Sequence, residues 1–154
     1  PNAGKSTLLS YLSAARPKIA DYPFTTLEPN LGIVKYGDYN SFVMADIPGL
    51  IEGASAGKGL GHKFLRHIER NKVLLYLIDS QDKNPYKTFK ILKNEILCFN
   101  PDLSTKPEFI CRTKSDIEID LVDEWNIFRG DINVISSLSG DGIKELVSKL
   151  IDCI

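Results

Sequence analysis

Apolar residues recur along this chain in two alternating rhythms. In "GKSTLLSYLSAA" they fall at Leu8, Leu9, Leu12 and Ala15, a helical spacing that Pro17 stops. Residues 18–30 are rich in Pro, Thr and Asp without periodicity and read as a loop. "LGIVKY" and "SFVMADI" are β-rich runs whose joint, "GDYN", predicts a hairpin. Gly49 to Gly61 holds five glycines and no period, so a mobile loop is expected there. "HKFLRHIERN" returns to helical spacing through Phe64, Leu65 and Ile68. "KVLLYLID" reads as a strand, and Asn84-Pro85 opens the helix "YKTFKILKNEIL", with proline where its missing N–H costs nothing. "EFICRT" is a strand and "LVDEWNIF" a short helix that should pack Trp125, Ile127 and Phe128 onto the core. "INVISS" is a strand, and "GIKELVSKLIDCI" a closing amphipathic helix. Strands alternating with helices, without repeat or linker, predict one α/β domain over 1–154 with helices on both faces of its sheet.

Composition narrows the class only slightly. The 154 residues suffice for a sizeable core, and 43% hydrophobic with 25% charged residues is ordinary for a soluble domain. Lys+Arg 19 against Asp+Glu 20 leaves a net charge of −1, so no global field draws the chain to nucleic acid or membrane. The longest purely apolar run, "VLLYLI", is far short of a membrane span. Cys98, Cys111 and Cys153 are scattered, without CxxC spacing, and read as reduced, mostly buried thiols of a cytoplasmic protein.

Four short stretches carry the chemistry, each at a predicted strand end or helix start. "PNAGKST" supplies the second half of a phosphate-binding P-loop, G-x-x-x-x-G-K-[ST]. Asn2, Ala3, Gly4, Lys5, Ser6 and Thr7 would surround phosphate, Lys5 reaching the β/γ-phosphates and the Ser6 hydroxyl ligating Mg²⁺. The first glycine of that pattern would lie two residues before Pro1, so the chain is expected to begin inside a domain whose first strand lies upstream. "DIPG" follows a strand: Asp46 can hold Mg²⁺, and Ile47, Pro48 and Gly49 bring a backbone N–H toward a γ-phosphate. "TKSD", Thr113, Lys114, Ser115 and Asp116, resembles the guanine-recognition pattern NKxD. A carboxylate there accepts from guanine N1–H and the 2-amino group, donors that adenine cannot offer. "SSL", Ser136, Ser137 and Leu138, resembles the loop whose backbone N–H meets guanine O6, with Ser137 at the usual alanine position. Ligands of open α/β sheets bind outside the carboxyl ends of the strands, where these stretches fall.

Together with "DYPFTTLEPNLG", "RPKIA" and "GLGHKFLRHIER", these motifs closely resemble the GTPase domain of the Obg family over essentially the whole chain. The resemblance implies a Ras-like P-loop NTPase fold with a mostly parallel sheet, GTP/GDP and Mg²⁺ as ligands, and slow GTP hydrolysis. It makes Thr26 a switch residue that ligates Mg²⁺ beside Ser6 and Asp46, and Phe24, Thr25, Thr26, Leu27 and Glu28 the nucleotide-facing part of that switch. Lys5, Thr26 and Gly49 become the catalytic set. The family's central strand and glycine-rich N-terminal domain are expected outside these residues. The implied partner is a ribosomal particle, chiefly in large-subunit assembly, for a monomer with no membrane or direct DNA contact. Related YchF-type proteins carry glutamate in the base motif and prefer ATP, so Asp116 favours GTP.

Three departures bear on mechanism. Thr113 replaces the usual asparagine, which should weaken base recognition without altering its specificity. Leu50 stands where many GTPases place a water-orienting glutamine, so hydrolysis is slow or uses another group, and a GTP-sensing module with negligible hydrolysis is the alternative. Asn2 matches an asparagine that in several GTPases helps bind K⁺ beside the phosphates; its other reading is a loop-shaping side chain. "GASAGKG" is too short between its glycines, and lacks Ser or Thr after Lys58, for a second phosphate loop. His62 and His67 share a helix face poorly and suit surface or packing roles better than metal ligation.

Overall fold

In the computed structural model the residues described are 2–19, 29–46, 71–117, 122–129 and 132–154. The chain divides into two units, Lys5–Ile68 and Pro1–Gly4 with Glu69–Ile154, and its six described strands form two three-stranded sheets.

In the first unit, helix α1 (Lys5–Leu12) lies against the antiparallel sheet β1 (Lys18–Ile19), β2 (Asn30–Tyr36) and β3 (Asn40–Asp46). The expected hairpin is present: Asn30 pairs with Asp46 and Tyr36 with Asn40, around a turn at Gly37–Tyr39. Strand alternation turns Gly32 and Val34 inward and leaves Ile33 and Lys35 exposed. Leu8 and Leu9 are almost wholly buried in this unit. Gly32 permits the close approach of α1, because a Cβ there would lie 1.9 Å from Ser13 Oγ and 2.8 Å from Leu9 Cδ1. After α1 the chain turns onto β2 through a Ser13–Val34 bridge and an Ala14 N–H bond to Ile33 O of 2.9 Å.

In the second unit, β4 (Leu74–Asp79), β5 (Glu108–Thr113) and β6 (Asn133–Val134) are parallel in the order β4-β5-β6. Helix α2 (Pro85–Phe99) has Pro85 in its first turn, and Asp82 supplies the polar start that Asn84 does not. Its carboxylate accepts the Asn84 N–H at 2.7 Å and the Thr88 hydroxyl at 2.6 Å. Edge-to-face contacts from Tyr76 to Phe89 and from Phe89 to Phe128 tie β4, α2 and the segment that follows α3 (Val122–Trp125). Helix α4 (Ile143–Ile151) buries Ile143, Leu146 and Leu150, a spacing that keeps them on one face.

Several sequence expectations need correction. Lys18–Ile19 is not loop: it pairs with Leu31 and Asn30, using polar and β-branched side chains that carry no periodic signal over two residues. Within "LVDEWNIF", Val122–Trp125 is a single α-turn followed by a 3-10 turn over Asn126–Phe128, and Ile127 is 52% exposed while Trp125 is buried. The thiols are not mostly buried, for Cys98 is exposed, Cys153 intermediate and only Cys111 buried. The "INVISS" strand is limited to Asn133–Val134 as ladder, with Ile135 N–H still donating to Arg112 O at 2.9 Å.

Candidate functional site

Two groups of predicted residues take defined geometry, one in each unit. In Lys5–Ile68, α1 begins at Lys5; Gly4, the residue before it in the chain and counted with the other unit, has φ +83°. Among the described residues no heavy atom beyond its chain neighbours lies within 4 Å of where a Gly4 Cβ would be, and the positive φ is by itself a reason for glycine here. Asn2 is left-handed too, at φ +56°, and its exposed side chain makes no hydrogen bond among the described residues. Thr7 is exposed and Ala3 buried. Lys5 is half-buried and forms no ion pair among the described residues.

In the first turn of α1, the Ser6 hydroxyl donates to Asp46 Oδ2 at 2.6 Å. Asp46 ends β3 and is 6% exposed, and its Oδ1 is buried without a hydrogen-bond partner among the described residues. A buried carboxylate oxygen left without a partner costs free energy that a hard cation would relieve. Because the Ser6 proton is engaged by Asp46, the hydroxyl lone pairs remain available to that cation. Mg²⁺ takes one or two protein oxygens and completes its shell with phosphate and water, which fits a pair rather than a cage. Among the described residues no group of three or more His, Cys, Asp or Glu is placed to hold a metal.

In the other unit the ends of β4 and β5 form the second group. Thr113, 4% exposed, donates its hydroxyl to Ile78 O at 3.2 Å. Lys114 is left-handed at φ +56°, a strained conformation for a residue that carries a Cβ. Ser80 N–H donates to Thr113 O at 3.0 Å and Ser80 Oγ to Lys114 O, also at 3.0 Å. Lys114 Nζ donates to Asp79 Oδ2 at 2.5 Å. The Asp116 carboxylate is exposed, and its Oδ1 accepts the Ser136 hydroxyl at 2.5 Å. Ser136 is fully buried, and its Oγ accepts the N–H groups of Leu138 at 3.2 Å and Ser139 at 3.1 Å. Those two donors leave the hydroxyl proton one direction, toward Asp116. Ser115 N–H donates to Ile135 O at 3.1 Å, which joins the same two loops.

Of the residues the sequence grouped, Ser6 meets Asp46 and Asp116 meets Ser136, whereas Lys114 is held by Asp79 and Ser80. Within the "SSL" stretch, Ser136 is the anchoring residue, while Ser137 is half-buried and Leu138 83% exposed. Phe24, Thr25, Thr26, Leu27 and Glu28, together with Ile47, Pro48, Gly49, Leu50, His62 and His67, lie outside the described residues. Sequence reasoning missed Asp79 and Ser80, although an acid closing the strand "KVLLYLID" was a visible signal.

A protein-family profile described as 50S ribosome-binding GTPase matches residues 1–114. The chain is 56% identical over 152 residues to the GTPase Obg of Prosthecochloris aestuarii, covering 97% of this chain and 46% of that protein. To the GTPase Obg of Bacteroides fragilis it is 59% identical over 150 residues, covering 95% of this chain and 39% of that protein. The chain belongs to the Obg family of P-loop GTPases. It spans less than half the length of those curated relatives. Among solved structures, an Era variant of Aquifex aeolicus bound to GDP and AlF4⁻ superposes with a TM-score of 0.71 at 27% identity, covering 100% of this chain and 54% of that one. The expected P-loop GTPase fold is therefore the observed one.

Proposed function

We propose that this chain is an Obg-type GTPase domain that binds guanine nucleotide with Mg²⁺ and hydrolyses GTP slowly to GDP. The observation that carries the reading is the Asp116 carboxylate, oriented by a buried serine and exposed where a base can meet it, in a chain of this family. Lys114 and Asp116 recognise the base, with Ser136 as the support of Asp116. Lys5 and Ser6 serve the phosphates, and Ser6 with Asp46 holds Mg²⁺, the cation supplying charge neutralisation at the transferring phosphoryl group. Thr26, Gly49 and the neighbouring switch residues complete the set by family resemblance.

Displacement of a fluorescent GDP analogue by GDP and separately by ADP tests the reading. Displacement by GDP alone is expected, and equal displacement by ADP would refute guanine recognition. Leu50 favours a second reading, a nucleotide sensor with negligible hydrolysis, which single-turnover rates separate from slow turnover. Asn2 is exposed, and in the K⁺ reading its side chain helps hold that cation beside the phosphates, so hydrolysis should be faster in K⁺ than in Na⁺; equal rates would leave loop shaping as its role. Assembly of the large ribosomal subunit is the wider role we assign, supported by the family's description.

A further inference from the structure

Three consecutive residues at the end of β4 grip the start of the base-recognition stretch. Ile78 O accepts the Thr113 hydroxyl, Ser80 N–H donates to Thr113 O, Ser80 Oγ donates to Lys114 O, and Asp79 takes the Lys114 ammonium. These are four hydrogen bonds onto two residues. Two of them end on a residue whose backbone is left-handed, a conformation that persists only where its surroundings over-determine it. Ser80 is fully buried, so its bonds face no competition from water. Asp79 is itself oriented, because its Oδ1 accepts the Gln81 N–H at 3.0 Å and leaves Oδ2 to Lys114.

We propose that Asp79, supported by Ser80, is a positioning residue for guanine recognition, holding Lys114 in one conformation before the nucleotide arrives. The proposal rests on the reading of "TKSD" as the base site. A free lysine side chain populates many rotamers and must give them up when its stem covers a base. Here the ammonium is tethered at the strand end while the carbonyl of the same residue is pinned by Ser80, so both ends of Lys114 are fixed in advance. The arrangement also accounts for Thr113. Its hydroxyl is spent on Ile78 O, so it locks β5 to β4 and leaves the orienting of the loop to Asp79 and Ser80. Ordering one rotamer-rich side chain on binding carries a free-energy cost that corresponds to roughly three- to tenfold in affinity.

The test is a double-mutant cycle on affinity for a fluorescent GDP analogue, using the parent chain, Asp79→Asn, Lys114→Ala and the double variant. Asparagine is isosteric and still accepts the Gln81 N–H, so the turn is kept while the charge facing Lys114 is removed. Asp79→Asn should bind about three- to tenfold more weakly, with its melting temperature close to the parent's. In the Lys114→Ala background the same change should have no further effect, a non-additivity that a merely structural role would not produce. Parent-like binding by Asp79→Asn, or effects that multiply in the double variant, would overturn the proposal. A Lys114→Ala variant that binds as tightly as the parent, or a parent that binds no guanine nucleotide, would instead overturn the base-site reading beneath it.

Discussion

Replacing Asp116 by asparagine should invert the base preference, and the structure says which way the new amide will face. The Ser136 hydroxyl has one proton, and its lone pairs already take the N–H groups of Leu138 and Ser139. That proton points at position 116, where Asp116 Oδ1 lies 2.5 Å from the Ser136 oxygen. An asparagine there must give Ser136 its carbonyl oxygen and turn its NH₂ outward. Guanine would then set its N1–H and 2-amino donors against a donor, losing two charge-assisted hydrogen bonds. At about 1.5–3 kcal/mol each, the loss is about 3–6 kcal/mol, or roughly 10²- to 10⁴-fold in affinity. Xanthine carries an oxygen at the 2-position and accepts from the same NH₂. The assay is displacement of a fluorescent nucleotide by GDP and by XDP, on the parent chain, Asp116→Asn, and Asp116→Asn with Ser136→Ala. Asp116→Asn should favour XDP, and Ser136→Ala should shrink that gain by releasing the amide to rotate. Unchanged GDP affinity in Asp116→Asn would refute the assigned role of Asp116. A gain for XDP that survives Ser136→Ala undiminished would refute the orienting role of Ser136.

Two further outcomes follow from the same geometry. Ser6→Ala removes both the 2.6 Å bond to Asp46 and the hydroxyl read as a Mg²⁺ ligand, so GDP binding should lose most of its difference between Mg²⁺ and EDTA; a Mg²⁺ effect equal to the parent's would remove Ser6 from the metal site. Burial pushes the Cys111 thiol from 9.0 up to about 12 and raises the Tyr76 hydroxyl as well, aided there by the Glu108 carboxylate. The unfolded chain releases these protons first as pH rises, so stability is fully present below about pH 9 and declines toward pH 12. Denaturant midpoints across that range should fall, and Cys111→Val should flatten the decline; a pH-independent midpoint would contradict the burial.

The order of elements, the hairpin and the chemistry-bearing stretches were legible in the chain itself, because each rests on local causes. Helix-spaced leucines after "GKS", β-rich runs around "GDYN" and a proline opening α2 are all signals within a few residues of the structure they specify. The same locality named Lys5, Ser6, Asp46, Lys114 and Asp116, since strand ends and helix starts are where such residues can meet a nucleotide. Short pairings were not legible. Lys18 and Ile19 form a strand only because β2 offers them a free edge, and two residues show no period. Which side of a one-turn helix faces inward was equally hidden, so Trp125 and Ile127 were grouped together although one is buried and the other exposed. Above all, partnership across long sequence distance belongs to the tertiary structure. Ser6 and Asp46 are 40 residues apart, and Lys114 and Asp79 are 35 apart. A hydrogen bond depends on a few tenths of an ångström and a proton's direction, and neither is set until strands pair and helices pack. The sequence by itself determined which residues are proposed for a guanine nucleotide and its cation, because motif and spacing are local; only the packed strand ends decided that Asp46 takes the Ser6 proton, Ser136 donates to Asp116, and Asp79 takes the Lys114 ammonium.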